Sequence, residues 1–247
     1  MKRARDPRKT ELSAVLSKLE AMGDPRSLVG MARFGINTAR AYGVSIPKVR
    51  SVAKEVGRDH SLALKLWSSG IHEARILAAM IDDPELVTER QMESWVKDFD
   101  SWDVCDSCCG SLFDRTGFAY RKAIEWSSRK EEYERRAGFV LMAELAVHDK
   151  QAGDEKFKEF LAIIGKSDDE RNFVKKAINW ALRQIGKRNL VLNKLAIATA
   201  RKMEKRESRS ARWIASDALR ELSDDKVRSR ITLRENQKLE GRASKKG

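Results

Sequence analysis

The sequence predicts an all-α protein assembled from stacked helix pairs, and three observations carry that expectation. After Pro84 the chain runs for more than 160 residues without another proline, so nothing there removes an interior helix hydrogen bond. The same stretch is rich in Ala, Leu, Lys, Arg and Glu, which lose little on entering a helix. Nowhere do apolar and polar residues alternate long enough to make a half-buried strand. With 35% charged and only 7% aromatic residues in 247, the composition suits helices that keep much of their surface in water.

Helical periodicity recurs over about 10–22, 25–33, 46–57, 60–69, 72–82, 88–99, 101–115, 118–129, 131–149, 154–165, 168–187, 190–206, 208–222 and 224–235. Gly23, Gly57 and Gly70 stop the first, third and fourth of these, as glycine does just past a helix end. Thr88-Glu89-Arg90-Gln91 is a capping box for the sixth. Asp100 or Ser101 serves as N-cap of the seventh, its side-chain oxygen accepting a backbone N–H, and Asn189 divides the eleventh from the twelfth. Residues 1–235 are expected to form one domain, and 236–247, ending Arg242-Ala243-Ser244-Lys245-Lys246-Gly247, a disordered basic tail.

A faint repeat underlies the helices. A basic residue opens an Ala-rich apolar run at Arg75, Arg136, Lys176 and Arg212, with spacings of 61, 40 and 36 residues. The first gap has room for the helix of Trp102 as an intermediate member. Periods of 30–45 residues built on helix pairs indicate a HEAT-like α-solenoid with a concave face lined by the second helix of each pair; an irregular helical bundle is the alternative. On the solenoid reading Trp102, Arg136 and Trp180 stand on neighbouring inner helices.

With 50 Lys+Arg against 37 Asp+Glu the net charge is +13, a bias that attracts polyanions and most often nucleic acid. No run of 18 apolar residues is present to span a membrane, and Met1–Pro7 lacks the apolar centre of a signal peptide, so a cytoplasmic, monomeric protein is expected. Cys105, Cys108 and Cys109 are too few for a disulfide framework. Without a second Cys or His pair beside them they do not make a zinc site, and no metal or cofactor is expected. Cys105 and Cys108 read as core residues, Cys109 as an exposed thiol.

Against this basic background, Asp98-Phe99-Asp100-Ser101-Trp102-Asp103-Val104-Cys105-Asp106 concentrates four carboxylates and a tryptophan in nine residues. Asp100 suits a cap, and Asp103 the first turn, where the helix dipole favours an anion. Asp106 lies a turn further in, at i+4 from Trp102 and on the same face. That acid is either a solvated surface carboxylate or one with a chemical task.

The helix over about 168–187 is also divided by face. Val174, Ala177, Ile178, Ala181 and Ile185 make a buried stripe, while Phe173, Lys176, Trp180, Gln184 and Lys187 make another, with Arg183 beside it. Rings interleaved with cations are the composition of a nucleic-acid groove; packing of Trp180 against the next repeat is the alternative. Lys176, Arg183, Lys187, Arg188 and Arg212 are the expected phosphate contacts. Trp67, Trp95, Trp126 and Trp213 read as packing residues, and Arg136, beside an apolar run, needs an anionic partner if buried.

Trp-Asp-x-x-Asp at 102–106, Arg135-Arg136-Ala137-Gly138 and Lys176-Ala177-Ile178-x-Trp180-x-Leu182-Arg183 together resemble the AlkD-type DNA alkylation repair glycosylases, and Tyr42–Arg50 resembles the N-terminal segment of that family. The resemblance covers about residues 20–222. It implies a HEAT-like solenoid that excises N3- and N7-alkylated purines from double-stranded DNA. It also implies roles: Asp106 as the catalytic carboxylate, Trp102 and Trp180 flanking the sugar of the lesion, and Arg136 contacting the backbone beside it. The family also has members without these residues and without glycosylase activity; this chain keeps all four. Two rival classes use the same charge: a non-catalytic HEAT-repeat nucleic-acid scaffold, which leaves Asp106 unexplained, and a solenoid for an acidic protein partner, which leaves Trp180 unexplained.

Overall fold

The structure, a computed structural model, describes residues 11–243, with side-chain surroundings through Gln237. The described residues form helices joined by turns, the longest connection being residues 34–45, and contain no strand. The chain forms two compact units, Met1–Thr116 and Gly117–Gly247, where the sequence led to the expectation of one domain.

The first unit contains α1 (Leu12–Ala21), α2 (Pro25–Arg33), α3 (Ile46–Val56), α4 (His60–Ser68), α5 (His72–Ile81), α6 (Glu89–Lys97) and α7 (Trp102–Ser111), followed by a 3-10 turn at Phe113–Arg115. Side-chain caps start three of them: Asp24 accepts from Arg26 N, Asp59 from Leu62 N and Thr88 from Gln91 N. Helix α5 is the centre, with α3, α4 and α7 packed on it. Its Ala74, Ile76, Leu77, Ala78, Ala79 and Ile81 are all buried. Trp67 of α4 stacks on Trp95 of α6 with centroids 3.9 Å apart, and both are buried as expected. Before α3 the chain turns at Gly43, whose φ is +79° and where a Cβ would lie 2.3 Å from the Asp24 carbonyl oxygen. Glycine is required there on both counts.

The second unit contains α8 (Ala119–Ser127), α9 (Glu132–His148), α10 (Asp154–Lys166), α11 (Asn172–Gly186), α12 (Leu190–Glu204), α13 (Arg209–Leu222) and α14 (Asp225–Ala243). Helices α9, α11 and α13 lie side by side, with α8 against α9 and α12 against α10, α11 and α13. Gly138 allows the first of these contacts, since a Cβ there would fall 2.2 Å from Ser127 N. The faint sequence repeat is a physical register here. Lys175 lies over Trp213, Asn179 Nδ2 donates to Asp217 and Arg183 to Glu221. Each rung joins residues 38 apart, close to the expected 36-residue spacing. In the first unit the step is shorter: Trp67 to Asp98 and His72 to Asp103 are both 31 residues.

Three expectations need correction. Residues 236–243, expected in a disordered tail, continue α14; 244–247 lie outside the described residues. Few apolar residues disfavour burial, but the segment keeps good helix formers and no proline, so helix propensity prevails. Cys109, expected as an exposed thiol, is fully buried along with Cys105 and Cys108, since a small apolar side chain is readily taken into the core. Burial pushes the thiols of Cys108 and Cys109 well up. Trp213, expected in core or inter-repeat packing, meets Lys175 of α11 but is 40% exposed.

Candidate nucleic-acid interface

Helix α7 carries Trp102 and Asp106, and its N-terminus is tied down by tertiary bonds rather than by a local cap. Ser101 occupies the N-cap position but makes no cap bond; its Oγ instead accepts from Asn37 N at 2.8 Å. Asn37 Nδ2 donates to Asp100 Oδ2 at 3.0 Å. The indole N–H of Trp102 donates to the Phe34 carbonyl at 3.0 Å, fixing the ring's orientation at the end of α2. His72 Nε2 lies 2.9 Å from Asp103 Oδ2, and Trp67 Nε1 donates to Asp98 Oδ2 at 2.9 Å. Arg75 donates to the Asp98 carbonyl and stands 3.7 Å from Asp100.

Three of the four acids in this stretch therefore hold the fold. The opposite side of α7 is filled by Val104, Cys105 and Cys108, and Cys109, a turn beyond Asp106 on its own face, is buried as well. Trp102 and Asp106 are half-buried on the face that remains, one turn apart. Burial first, then Cys105 and Cys108, raise the Cys109 thiol, and Asp106 adds a smaller negative field in the same direction.

His72 is the least expected participant. It is buried, and burial alone disfavours its charge. The bond to Asp103, with the charges of Asp103, Glu73 and Asp100, outweighs that and raises its pKa above 6.5. His72, Asn37 and Glu73 gave no sequence signal, because their partners lie about 30 or more residues away.

The second unit holds the other candidates. Arg136 on α9 is 5% exposed and donates to the Phe173 carbonyl at the start of α11, so it links the helix that bears Trp180. The buried and open stripes of α11 fall as expected: Val174, Ala177, Ile178, Ala181 and Ile185 are buried, Lys176 is exposed, and Trp180 and Gln184 are half-buried. Arg183 and Lys187 share Glu221 at 2.6 and 2.7 Å. Burial would raise the Glu221 carboxyl, but those two cations hold it below its usual value. Arg212 donates to the carbonyls of Arg206 and Glu207 while remaining exposed.

Arg188 is the correction in this set. It donates to the carbonyls of Ala146, Asp149 and Ala152, and its guanidinium lies 3.9 Å over the Phe157 ring. A residue holding three carbonyls is a strut of the fold and leaves the phosphate-contact set. Among the described residues no group of three or more His, Cys, Asp or Glu is placed to hold a metal. No helix among them is long and apolar enough to cross a membrane.

Helix pairs in a regular register, with a tryptophan and a carboxylate one turn apart on a clamped helix, define a helical-repeat protein of the HEAT-like class. Residues 15–222 match the DNA alkylation repair enzyme family, and the chain belongs to it. No curated protein matches the chain. A solved structure described as "a new family of proteins related to the HEAT-like repeat DNA glycosylases with affinity for branched DNA structures" is similar, with a TM-score of 0.72 and 20% identity. The similarity covers 85% of this chain and 95% of that one. The fold is thus the HEAT-like repeat fold of the DNA glycosylases.

Proposed function

We propose that this protein is an AlkD-type glycosylase that hydrolyses the N-glycosidic bond of cationic N3- and N7-alkylated purines in double-stranded DNA, acting as a cytoplasmic monomer. The observation that carries the reading is the Trp102–Asp106 pair, half-buried on one face of a helix whose start is clamped from α2, α4 and α5. Alkylation at N3 or N7 makes the purine a cation and a good leaving group, so little acid help is needed. What the protein must supply is stabilisation of an oxocarbenium-like deoxyribose and a water directed at C1′, the work of a carboxylate in glycoside hydrolysis.

Asp106 takes that role. Trp102 and Trp180 add the attraction of an aromatic face for developing positive charge, and Arg136, buried against the Phe173 carbonyl, holds the start of the helix that bears Trp180 rather than meeting the strand itself. Phosphates are met by Lys176, Arg183, Lys187 and Arg212. No lysine occurs in α7 to form a Schiff base, so the product is an abasic site in an intact strand. Reliance on the charge of the lesion itself favours bases left in or near the stack over neutral lesions drawn into a pocket.

Asp106→Asn keeps the shape and removes the charge. Release of N7-methylguanine from duplex DNA is expected to fall at least about 100-fold, roughly 3 kcal/mol of barrier, while DNA affinity holds or improves. A variant as active as the parent sinks the assignment. The second reading is a DNA-binding protein without catalysis, favoured by the affinity for branched DNA ascribed to the similar solved structure. It predicts DNA binding with no base release by the unaltered protein.

A further inference from the structure

The rungs between α11 and α13 are not alike. On two of them α13 supplies a carboxylate, Asp217 to Asn179 and Glu221 to Arg183, and Arg220 and Lys187 close on the same two acids. On the first rung it supplies an aromatic ring instead. Trp213 is 40% exposed, with Lys175 Nζ 5.0 Å from its centroid. A tryptophan needed for packing is covered, as Trp126 is.

Arg209, Arg212, Ser216 and Arg220 are exposed on the same stripe of α13, and Lys176 is exposed on α11. The acids near this end are mostly committed: Asp168 to Arg206, Asp169 to Arg171, and Glu170 to the amide of Ser210. Glu207, in the preceding turn, is the exposed exception.

From this arrangement we infer that Trp213 is a stacking platform for an unpaired DNA base, with the adjoining phosphates on Lys175, Arg209 and Arg212. A base inside a duplex already has both faces covered by its neighbours and offers a helix-borne ring only sugar and phosphate. An unpaired base has an open face, and stacking on an aromatic side chain is favourable whatever the base. This site is distinct from the Trp102–Asp106 pair and lies in the other unit. It rests on the reading of α11 as a DNA interface and is independent of base excision.

The test compares binding, by fluorescence anisotropy, of an unmodified blunt duplex and the same duplex carrying a single-stranded tail. The unaltered protein binds the tailed DNA more tightly. Trp213→Ala raises Kd for the tailed DNA about tenfold and changes blunt-duplex binding by less than about twofold, whereas Trp213→Phe keeps most of the preference. Lys175→Gln, at a half-buried position, weakens the preference partially and serves if Trp213→Ala does not fold. Equal affinity of the unaltered protein for both DNAs, equal losses for both in Trp213→Ala, or a preference unchanged in that variant each overturn the inference. Neither oligonucleotide contains an alkylated base, so failure of the excision reading leaves these outcomes unaffected.

Discussion

In the first unit the links between elements are made mainly by carboxylates; in the second, arginines add a set of bonds to backbone carbonyls. Glu73, 1% exposed, accepts from the amides of Tyr42, Gly43 and Val44, and Asp98 and Asp103 take an indole and an imidazole. Arg40 and Arg75 add one carbonyl bond each. In the second unit Arg188 holds three carbonyls, Arg206 holds those of Gly165 and Ser167, and Arg171 that of Lys130. Carboxylates such as Glu170 and Glu235 take one amide apiece. The amides held by Glu73 lie in the loop before α3, whereas the carbonyls held by Arg188 and Arg206 lie mainly at the ends of α9 and α10, where a helix leaves carbonyls without partners. The lesson concerns charge. The acids crowded before α7 are largely consumed by the fold and do not oppose a polyanion, while part of the +13 is consumed too and does not attract one.

The comparison breaks most severely at Glu73. Glu73→Ala leaves three amides, two of them buried, without this acceptor, at about 4 kcal/mol, a large share of the stability of a unit this size. Glu73→Gln keeps one acceptor oxygen and loses about half as much. Amide exchange in α3 and α5 reads this directly, and protection unchanged in Glu73→Ala would remove the carboxylate from the account.

Arg188→Ala is expected to cost about 2–3 kcal/mol through the lost carbonyl bonds and the uncovered Phe157 ring. Lysine does not rescue it, since one ammonium cannot span three carbonyls. Because Arg188 is a strut, its loss should lower Tm and leave the salt dependence of DNA binding unaltered. Lys176→Glu should do the reverse, reducing the slope of log affinity against log salt by about 0.9 with Tm held. A flattened slope in Arg188→Ala would return that residue to the interface.

Much of this was legible in the sequence, and the misses share a cause. Helix positions followed from periodicity and caps, because both are local. The stripes of α11 followed for the same reason, as did the pairing of Trp102 with Asp106 on one face of α7. The repeat was visible only as a weak echo of basic and apolar runs, since what recurs at 38 residues is the rung position, filled by Lys–Trp, Asn–Asp and Arg–Glu in turn. Arg188 and Trp213 were misread because one cation or ring resembles another until its partners are known. Carbonyl oxygens, which decide the role of Arg188, leave no trace in side-chain identity. Glu73 and His72 were silent for the same reason: their partners are backbone amides and an aspartate a repeat away.

The smallest expected effect separates the units by pH. His72 is raised above 6.5 in the folded protein by Asp103, with help from Glu73 and Asp100, despite its burial. The stability from its extra proton is fully present below 6.5 and disappears as pH rises through the folded value. Glu221 is lowered below 4.5 by Lys187 and Arg183 despite its burial; its contribution is present above 4.5 and disappears as pH falls through the folded value. Amide protection, relative to the intrinsic exchange rate at each pH, should therefore fall in α5 and α7 as pH rises above 6.5, and in α11 and α13 only as it falls below 4.5. His72→Gln should abolish the first response and Glu221→Gln the second, each leaving the other intact. On the glycosylase reading proposed above, in which α7 supplies Trp102 and Asp106, base release should fall with the alkaline loosening of that helix, and the fall should be absent from the pH profile of His72→Gln. A profile of the same shape in that variant would mean that the His72–Asp103 bond holds the helix without positioning its chemistry.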